Sequence, residues 1–187
     1  MTALAELERR RPARADARRN YDALIAAARE AFAELGATAP LEEIARRAGV
    51  GIATLYRNFP TRDELAEAVY FEEVEGLSAA ASEFSALPPW EGLVAWLHRF
   101  TSYVGTKRVL IEGLNRESPA FKACREVLYG AGGPMLARAQ AAGVARADTD
   151  IDDVMRLVTG ITSYGFPNEE QRDRVLAIAL DGLKVRG

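Results

Sequence analysis

The sequence is poor in the side chains that build disulfides and metal sites. Its 187 residues contain one cysteine, Cys124, and one histidine, His98. A single cysteine cannot form a disulfide within the chain, and one Cys with one His cannot complete a structural zinc site. The absence of disulfides favours a reducing compartment, so we expect the protein to be cytoplasmic.

Long apolar runs are also missing. No stretch of about 18 consecutive apolar residues occurs, so no transmembrane helix and no membrane partner are predicted. Residues 1–20 are charged and lack the apolar segment of a secretory signal. The content of 49% hydrophobic and 27% charged residues is typical of a soluble globular protein.

Motifs typical of enzymes do not occur in the sequence. It has no phosphate-binding loop, no nucleophile elbow and no cluster of metal ligands. Gly49-Val50-Gly51 follows a predicted helix instead of a strand, so it is not a dinucleotide-binding fingerprint. We therefore predict that the protein is not an enzyme and needs no metal and no cofactor.

The charge is divided unevenly along the chain. Residues 1–62 carry eleven Arg against eight acidic residues, whereas residues 63–187 carry thirteen Lys and Arg against nineteen acidic residues. The N-terminal part is thus positive although the whole chain has a net charge of −3. This asymmetry favours nucleic acid as a partner of the N-terminal part. Ordinary scatter in composition is the alternative explanation.

Residues 41–65, LEEIARRAGVGIATLYRNFPTRDEL, contain two short helical patterns on either side of a glycine turn. Two helices that cross steeply through so short a turn form a helix-turn-helix, whose second helix can enter the major groove of DNA. Ile52, Leu55 and Phe59 are predicted to face the core. The outward positions are predicted to be Gly51, Ala53, Thr54, Tyr56, Arg57 and Asn58.

Residues 21–65 resemble the N-terminal domain of TetR-family transcriptional regulators. The resemblance lies in Ala31-Phe32 and Gly36, Ile44-Ala45, Ala48-Gly49-Val50, Leu55-Tyr56, Phe59-Pro60 and the segment Thr61–Leu65. It implies an all-helical, two-domain homodimer that binds double-stranded operator DNA and releases it when a small-molecule effector enters the C-terminal domain.

Helical periodicity continues to the end of the chain without strand-like alternation. The predicted fold is all-α, with an N-terminal three-helix helix-turn-helix domain, a C-terminal helical ligand-binding and dimerisation domain, and about nine helices. The predicted divisions are a mobile Arg-rich arm at 1–15, a DNA-binding domain at 16–65 and an effector and dimerisation domain at 66–187. The arm either enters a minor groove or remains a free tail.

Glycine, proline and capping residues predict where helices begin and end. Thr61 with Glu64 forms a capping box, Asp150 or Thr149 caps the penultimate helix, and Asn168 caps the last. Gly105 is expected to end one helix before a short separate helix at 107–114. A kink or break is expected between Gly130 and Pro134, because proline removes one helical hydrogen bond.

The resemblance also suggests which residues contact DNA. Tyr56 matches the tyrosine whose hydroxyl reaches the DNA backbone, and Arg62 stands where the family usually has Lys at a phosphate contact. Arg57 and Asn58 are candidates for reading guanine and adenine, respectively. The candidate DNA-binding residues are Thr38, Gly51, Ala53, Thr54, Tyr56, Arg57, Asn58 and Arg62.

Alternative interpretations remain for several of these residues. The Tyr56 ring could pack against the first helix, and Arg46 with Arg47 could form a solvated helix face. Gly51 stands where the family often has a Ser or Thr cap, and Ala53 where it often has Gly. These two departures bear on base preference more than on DNA binding.

The effector site is predicted from polar and aromatic residues in the C-terminal part, each of which could instead be ordinary core. His98 could sense pH or bind a carboxylate, or it could be structural. The candidates are Trp96, His98, Phe100, Tyr103, Cys124, Tyr129, Met135, Met155, Thr159, Thr162 and Tyr164.

The last predicted helix, around residues 175–180, is apolar on every side, so it should be covered on more than one side. A second copy of the chain could provide the second cover, and a fully buried core helix in a monomer is the alternative. The candidate dimer-interface residues are Val154, Val158, Ile161, Val175, Ile178 and Ala179.

These observations predict a ligand-responsive DNA-binding transcriptional regulator, specifically a repressor released from a palindromic operator by a small molecule. Two alternatives remain open. One is a transcriptional activator of the same fold, and the other is a helical protein-interaction module without DNA binding.

Overall fold

The computed structural model describes residues 11–36, 38–111, 119–162 and 166–185, with the side chains of 102–111 and 120 outside the description. Within these ranges the chain forms eight α-helices, which confirms the all-α prediction and comes close to the expected nine. Its one β-type pairing there is an isolated bridge between Ala145 and Lys184. The helices are α1 Ala15–Leu35, α2 Leu41–Arg47, α3 Ile52–Asn58, α4 Arg62–Phe84, α5 Pro89–Ile111, α6 Pro119–Ala141, α7 Ile151–Thr162 and α8 Glu169–Asp181.

The chain divides into two compact units. Unit 1 contains Met1–Glu73 with Thr106–Arg125, and unit 2 contains Val74–Gly105 with Glu126–Gly187. In the described residues, no helix is both long and apolar enough to cross a lipid bilayer.

The corner between α2 and α3 depends on Gly49. Its φ of 68° lies in the left-handed region, which a side chain makes unfavourable and glycine adopts freely. The backbone N–H of Val50 then donates to the carbonyl of Ala45 at 3.0 Å. This closed turn ends α2 and directs the chain into α3, as the sequence predicts.

Three helix starts carry the predicted capping side chains. In the box before α4, the N–H of Glu64 donates to Thr61 Oγ1 at 3.2 Å and the N–H of Thr61 donates to Glu64 Oε2 at 3.3 Å. Asp150 caps α7 by accepting from the N–H of Asp153 at 2.9 Å. Asn168 caps α8 by accepting from the N–H of Gln171. The caps predicted from sequence are confirmed at all three places.

Two predicted helix breaks are wrong, whereas a kink near Pro134 stays a prediction. Helix α5 continues through Gly105 to Ile111, where the sequence predicted a separate short helix, and α6 continues through Pro134. A glycine inside a helix costs about 1 kcal/mol relative to alanine and a proline about 3 kcal/mol. Buried faces offset such costs, here through Leu93 and Leu97 on α5 and Leu136 on α6.

Unit 2 is built around the indole ring of Trp96. The ring is fully buried, and its Nε1–H donates to the carbonyl of Leu77 at 3.0 Å. Gly132 lies directly against it, because a Cβ added at Gly132 would come within 2.6 Å of the ring and 2.9 Å of Ile151 Cδ1. Glycine at 132 therefore lets α6 pack closely on the indole.

Replacement of Gly132 by alanine should destabilise the fold, because the new methyl group overlaps a ring that its hydrogen bond holds in place. We expect a loss of about 1–3 kcal/mol in the free energy of unfolding, measured by urea denaturation. Gly130→Ala is the matched control, since it is an exposed position of the same helix where an added Cβ meets nothing within 4 Å. It should gain about 0.5–1 kcal/mol from helix propensity. Equal stability of the two variants would contradict this account of the packing.

Candidate nucleic-acid interface

Helix α3 is held in place by two side chains on one face. Leu55 and Phe59 are fully buried, and the Phe59 ring packs against Tyr21 of α1 at 5.0 Å between ring centroids. Leu55 and Phe59 are four residues apart, so both point to the same side of the helix. Their burial fixes which side of α3 faces solvent.

The opposite face of α3 is exposed as predicted at most positions. Tyr56 keeps 47% of its surface accessible, so its ring is not enclosed against α1. Gly51, Ala53 and Arg57 are also exposed, while Thr54 and Asn58 are half-buried.

Local hydrogen bonds orient the polar groups of this face. Arg57 Nη2–H donates to the Thr54 hydroxyl at 3.2 Å, one helical turn earlier. Asn58 Nδ2–H donates to the carbonyl of Thr54 at 2.8 Å. The amide oxygen, the other polar atom of this side chain, is a hydrogen-bond acceptor.

Ile52 is the residue for which the sequence prediction is wrong. It was expected in the core because it lies three residues before Leu55, but 36% of its surface is exposed. It is the first residue of a seven-residue helix, so no preceding turn of α3 covers it. The spacing of apolar residues does not reveal this exposure. The position of the helix start is the signal that could have indicated it.

Arg46 and Arg47 on α2 are occupied by carboxylates. Arg46 donates two hydrogen bonds to Glu43, while Arg47 bridges Glu43 and Glu34, each at 2.8 Å. The hydrogen bonds that Glu43 accepts from Arg46 and then from Arg47 lower the pKa of Glu43 from 4.5 to about 2. The hydrogen bonds that Arg47 donates to Glu34 and Glu43 raise the pKa of Arg47. These contacts are typical of a salt-bridged helix face, the alternative considered for these two arginines.

Arg62 lies at the start of α4 and ties that helix to the segment before α2. Its Nη1–H donates to the carbonyl of Ala39 at 2.6 Å, and its side chain is half-buried. Thr38, one residue before Ala39, is exposed. The hydrogen bond to Ala39 joins residues 23 positions apart and brings Arg62 close to Thr38.

The predicted effector residues are mostly buried or outside the described part. Trp96, Phe100, Cys124, Met135, Met155 and Thr162 are buried, His98 is half-buried and Thr159 is exposed. The half-buried Tyr129 donates its hydroxyl to Asp152 at 2.6 Å. The side chain of Tyr103 and the whole of Tyr164 lie outside the described residues.

A groove of about 440 Å³ lies within unit 2. The second half of α4 and the residue after it provide one wall, with three serine hydroxyls, and α6 provides the other. The Arg138 guanidinium is held at the groove by the carbonyls of Ser85 and Leu87. Of the predicted effector residues, Met135 lines it. Its lining includes Ser78, Ser82, Ser85, Ala131, Met135 and Arg138.

The last two helices leave apolar side chains uncovered. Val154 and Val158 are buried within the chain, and Ile161, Val175 and Ala179 are half-buried. Ile178 is 72% exposed, although Leu176 and Leu180 of the same helix are buried. Helix α8 is therefore not enclosed on all sides by its own chain.

Two family models match the sequence. Residues 24–69, which include α2 and α3, match the model of bacterial regulatory proteins of the tetR family. Residues 88–185 match the C-terminal domain of SbtR-like transcriptional regulators. The chain belongs to the TetR family. It is thus a DNA-binding transcription regulator.

Solved structures of TetR proteins agree along almost the whole chain. A TetR regulator from Streptomyces coelicolor is 37% identical with a TM-score of 0.71, covering 89% of this chain and 99% of that one. A TetR regulatory protein from Mycobacterium vanbaalenii is 33% identical with a TM-score of 0.73, covering 93% and 100%. The ketosteroid regulator of Mycobacterium tuberculosis, at 20% identity, shares the fold. No curated protein matched the sequence.

Proposed function

We propose that this TetR protein is a ligand-responsive repressor that binds a palindromic operator as a homodimer and leaves it when a small molecule binds unit 2. The observation that carries the proposal is the exposed face of α3, with Tyr56 and Arg57 outward above the buried Leu55 and Phe59. A helix anchored on one side and polar on the other is suited to entering a major groove.

The proposed contacts divide into positioning and reading groups. The Tyr56 hydroxyl and the cation of Arg62 bind phosphates, with Thr38 and Thr54 adding hydroxyls nearby. Arg57 reads guanine, because its guanidinium can donate two hydrogen bonds to O6 and N7. Asn58 offers its amide oxygen to adenine N6. Gly51 allows the backbone of α3 to come close to the DNA, whereas the methyl group of Ala53, where the family often has glycine, limits one such approach.

The proposed dimer uses the apolar surface of α7 and α8. Ile178 and Leu157 expose 72% and 38% of their surfaces, and Ile161, Val175 and Ala179 are half-buried beside them in sequence. A two-fold axis would place the same patch of each chain against the other. Val154 and Val158 would support this patch from beneath, because they are covered within their own chain.

The effector is proposed to bind the groove between α4 and α6. Ligand pockets are mostly apolar with a few polar groups, and this groove combines Ala131 and Met135 with serine hydroxyls and Arg138. Residues of α4 belong to both units, so a shift of this helix would change the spacing of the two α3 helices. Half-sites lie about 34–36 Å apart, and the effector must favour the released state.

Loss of Arg57 should weaken DNA binding, because its cation contacts the duplex in the proposed complex. We expect Arg57→Gln to cost about 1–3 kcal/mol in binding free energy, and Tyr56→Phe a smaller amount. Fluorescence anisotropy with duplex DNA from upstream of the protein's own gene measures both, and affinity should fall steeply as salt rises.

Arg46→Gln is the matched control for charge, because Glu43 already pairs with Arg46. It should bind nearly as tightly as the parent protein. If Arg57→Gln, Tyr56→Phe and the control all bind equally well, α3 is not the recognition helix. If the parent protein binds none of the duplexes tested, the repressor hypothesis fails and the alternative of an interaction module without DNA binding is favoured.

A charge at Ile178 should separate the proposed dimer. Ile178→Asp would bury a carboxylate between two copies, and this is unfavourable without a partner charge. We expect sedimentation equilibrium to give the mass of a monomer for this variant and that of a dimer for the parent protein. Leu87→Asp, at another exposed apolar position, should remain dimeric. A dimer that survives Ile178→Asp would rule out this interface.

Filling the groove should abolish the effector response without affecting DNA binding. Compounds from a metabolite library that release the DNA duplex would first be selected by anisotropy. We expect these compounds to have no effect on Ser82→Trp, because the indole occupies the groove. Glu83→Trp, exposed and outside the lining, should respond like the parent protein. A full response in Ser82→Trp would place the effector site elsewhere.

A further inference from the structure

The leading end of α3 is apolar. Helix α3 begins at Ile52, which is 36% exposed, and its neighbours Gly51 and Ala53 are also exposed. None of these three residues has a side chain that can form a hydrogen bond. In a helix-turn-helix, the N-terminal residues of the second helix are those that contact base edges.

The polar side chains of α3 lie further along the helix. Thr54 is half-buried, and its hydroxyl accepts from Arg57. Arg57 and Asn58 are in the last turn, five and six residues after Ile52 in sequence. The first turn can therefore distinguish bases by shape and apolar contact, and the last turn by hydrogen bonds.

Ile52 is adjacent to Tyr56 on the surface of the helix, because residues four apart are neighbours. Tyr56 is exposed and proposed to reach the DNA backbone, so the accessible part of Ile52 belongs to the same face. An isoleucine left in water on a face that enters the groove would gain from a non-polar partner there.

We propose that Ile52 contacts the C5 methyl group of a thymine in each operator half-site and thereby selects thymine at that base pair. In the major groove, thymine is the base that presents a methyl group, whereas cytosine presents an amino donor and no methyl. A purine would place its polar N7 against the isoleucine and leave it without a protein partner. This inference rests on the proposed DNA-binding function of α3.

The test removes single methyl groups from the DNA. A duplex is selected with the parent protein from a random 24-base-pair library, and each thymine in it is replaced in turn by deoxyuridine, which lacks only the methyl. We expect one thymine position, present once in each half-site, to be sensitive. Replacement of that thymine by deoxyuridine in one half-site should weaken binding about fourfold, the factor expected for burying one methyl group. Anisotropy titration gives each affinity.

Ile52→Ala should remove this sensitivity. The variant should bind the thymine duplex less tightly than the parent protein and should bind the thymine and deoxyuridine duplexes equally well. Ile52→Val retains a branched side chain and should keep most of the discrimination, which serves as the second variant if Ile52→Ala folds poorly. Leu87→Ala, a matched exposed leucine at 39%, should preserve the full effect.

The outcomes separate the two claims. If no duplex is selected, the proposed DNA-binding function fails. A second outcome is that the parent protein binds a duplex, Arg57→Gln binds it less tightly, and the removal of no thymine methyl group changes the affinity. Ile52 then does not read thymine, and the proposed DNA-binding function stands. A sensitive thymine that is still discriminated by Ile52→Ala would assign the methyl contact to another residue and also overturn the inference.

Discussion

The burial of Leu55 and Phe59 is the interaction on which the DNA-facing surface depends. Helix α3 has seven residues, and isolated helices much shorter than about 12–15 residues are marginal in water. Its stability therefore comes from the core, where Phe59 meets Tyr21. The same two side chains fix the rotation of α3 about its axis. The outward direction of Tyr56 and Arg57 is thus a consequence of apolar packing beneath them.

The ion pairs of α2 neutralise part of the positive charge that the sequence places in the N-terminal residues. Glu43 pairs with Arg46 and Arg47 within α2, and Glu34 pairs with Arg47, so Arg47 alone of the two links α2 to α1. The contact of Arg57, by comparison, is with the neutral hydroxyl of Thr54. A count of arginines in the sequence therefore overstates the positive charge available to a partner. Some arginines pair with carboxylates, as Arg46 and Arg47 do, whereas Arg57 contacts a neutral group.

Local rules were sufficient for much of the fold. The capping boxes at Thr61 and Asp150 and the turn at Gly49 involve residues at most five apart, and each is visible in the sequence. The continuity of α5 and α6 was not predictable in this way. Glycine and proline argue locally for a break, whereas the burial of Trp96 and Leu136 that opposes a break is a tertiary effect.

The same difference between local and tertiary effects applies to the candidate site. The exposure of Tyr56 and Arg57 follows from the spacing of Leu55 and Phe59, so the sequence could indicate it. The exposure of Ile52 depends on where α3 starts, and the pairing of Arg47 with Glu34 depends on how α1 meets α2. The groove in unit 2 is formed by residues about 50 positions apart, which no periodicity reveals.

The stacking of Tyr70 on Phe121 has a consequence for how such proteins could diversify. The two rings lie 5.3 Å apart and nearly parallel, and both belong to the unit formed by Met1–Glu73 and Thr106–Arg125. A recombination event that exchanged only residues 1–73 between two homologous genes would take Tyr70 and the residue at 121 from different parents. Chimaeras that inherit both segments from one parent should thus be viable more often than simple N-terminal swaps.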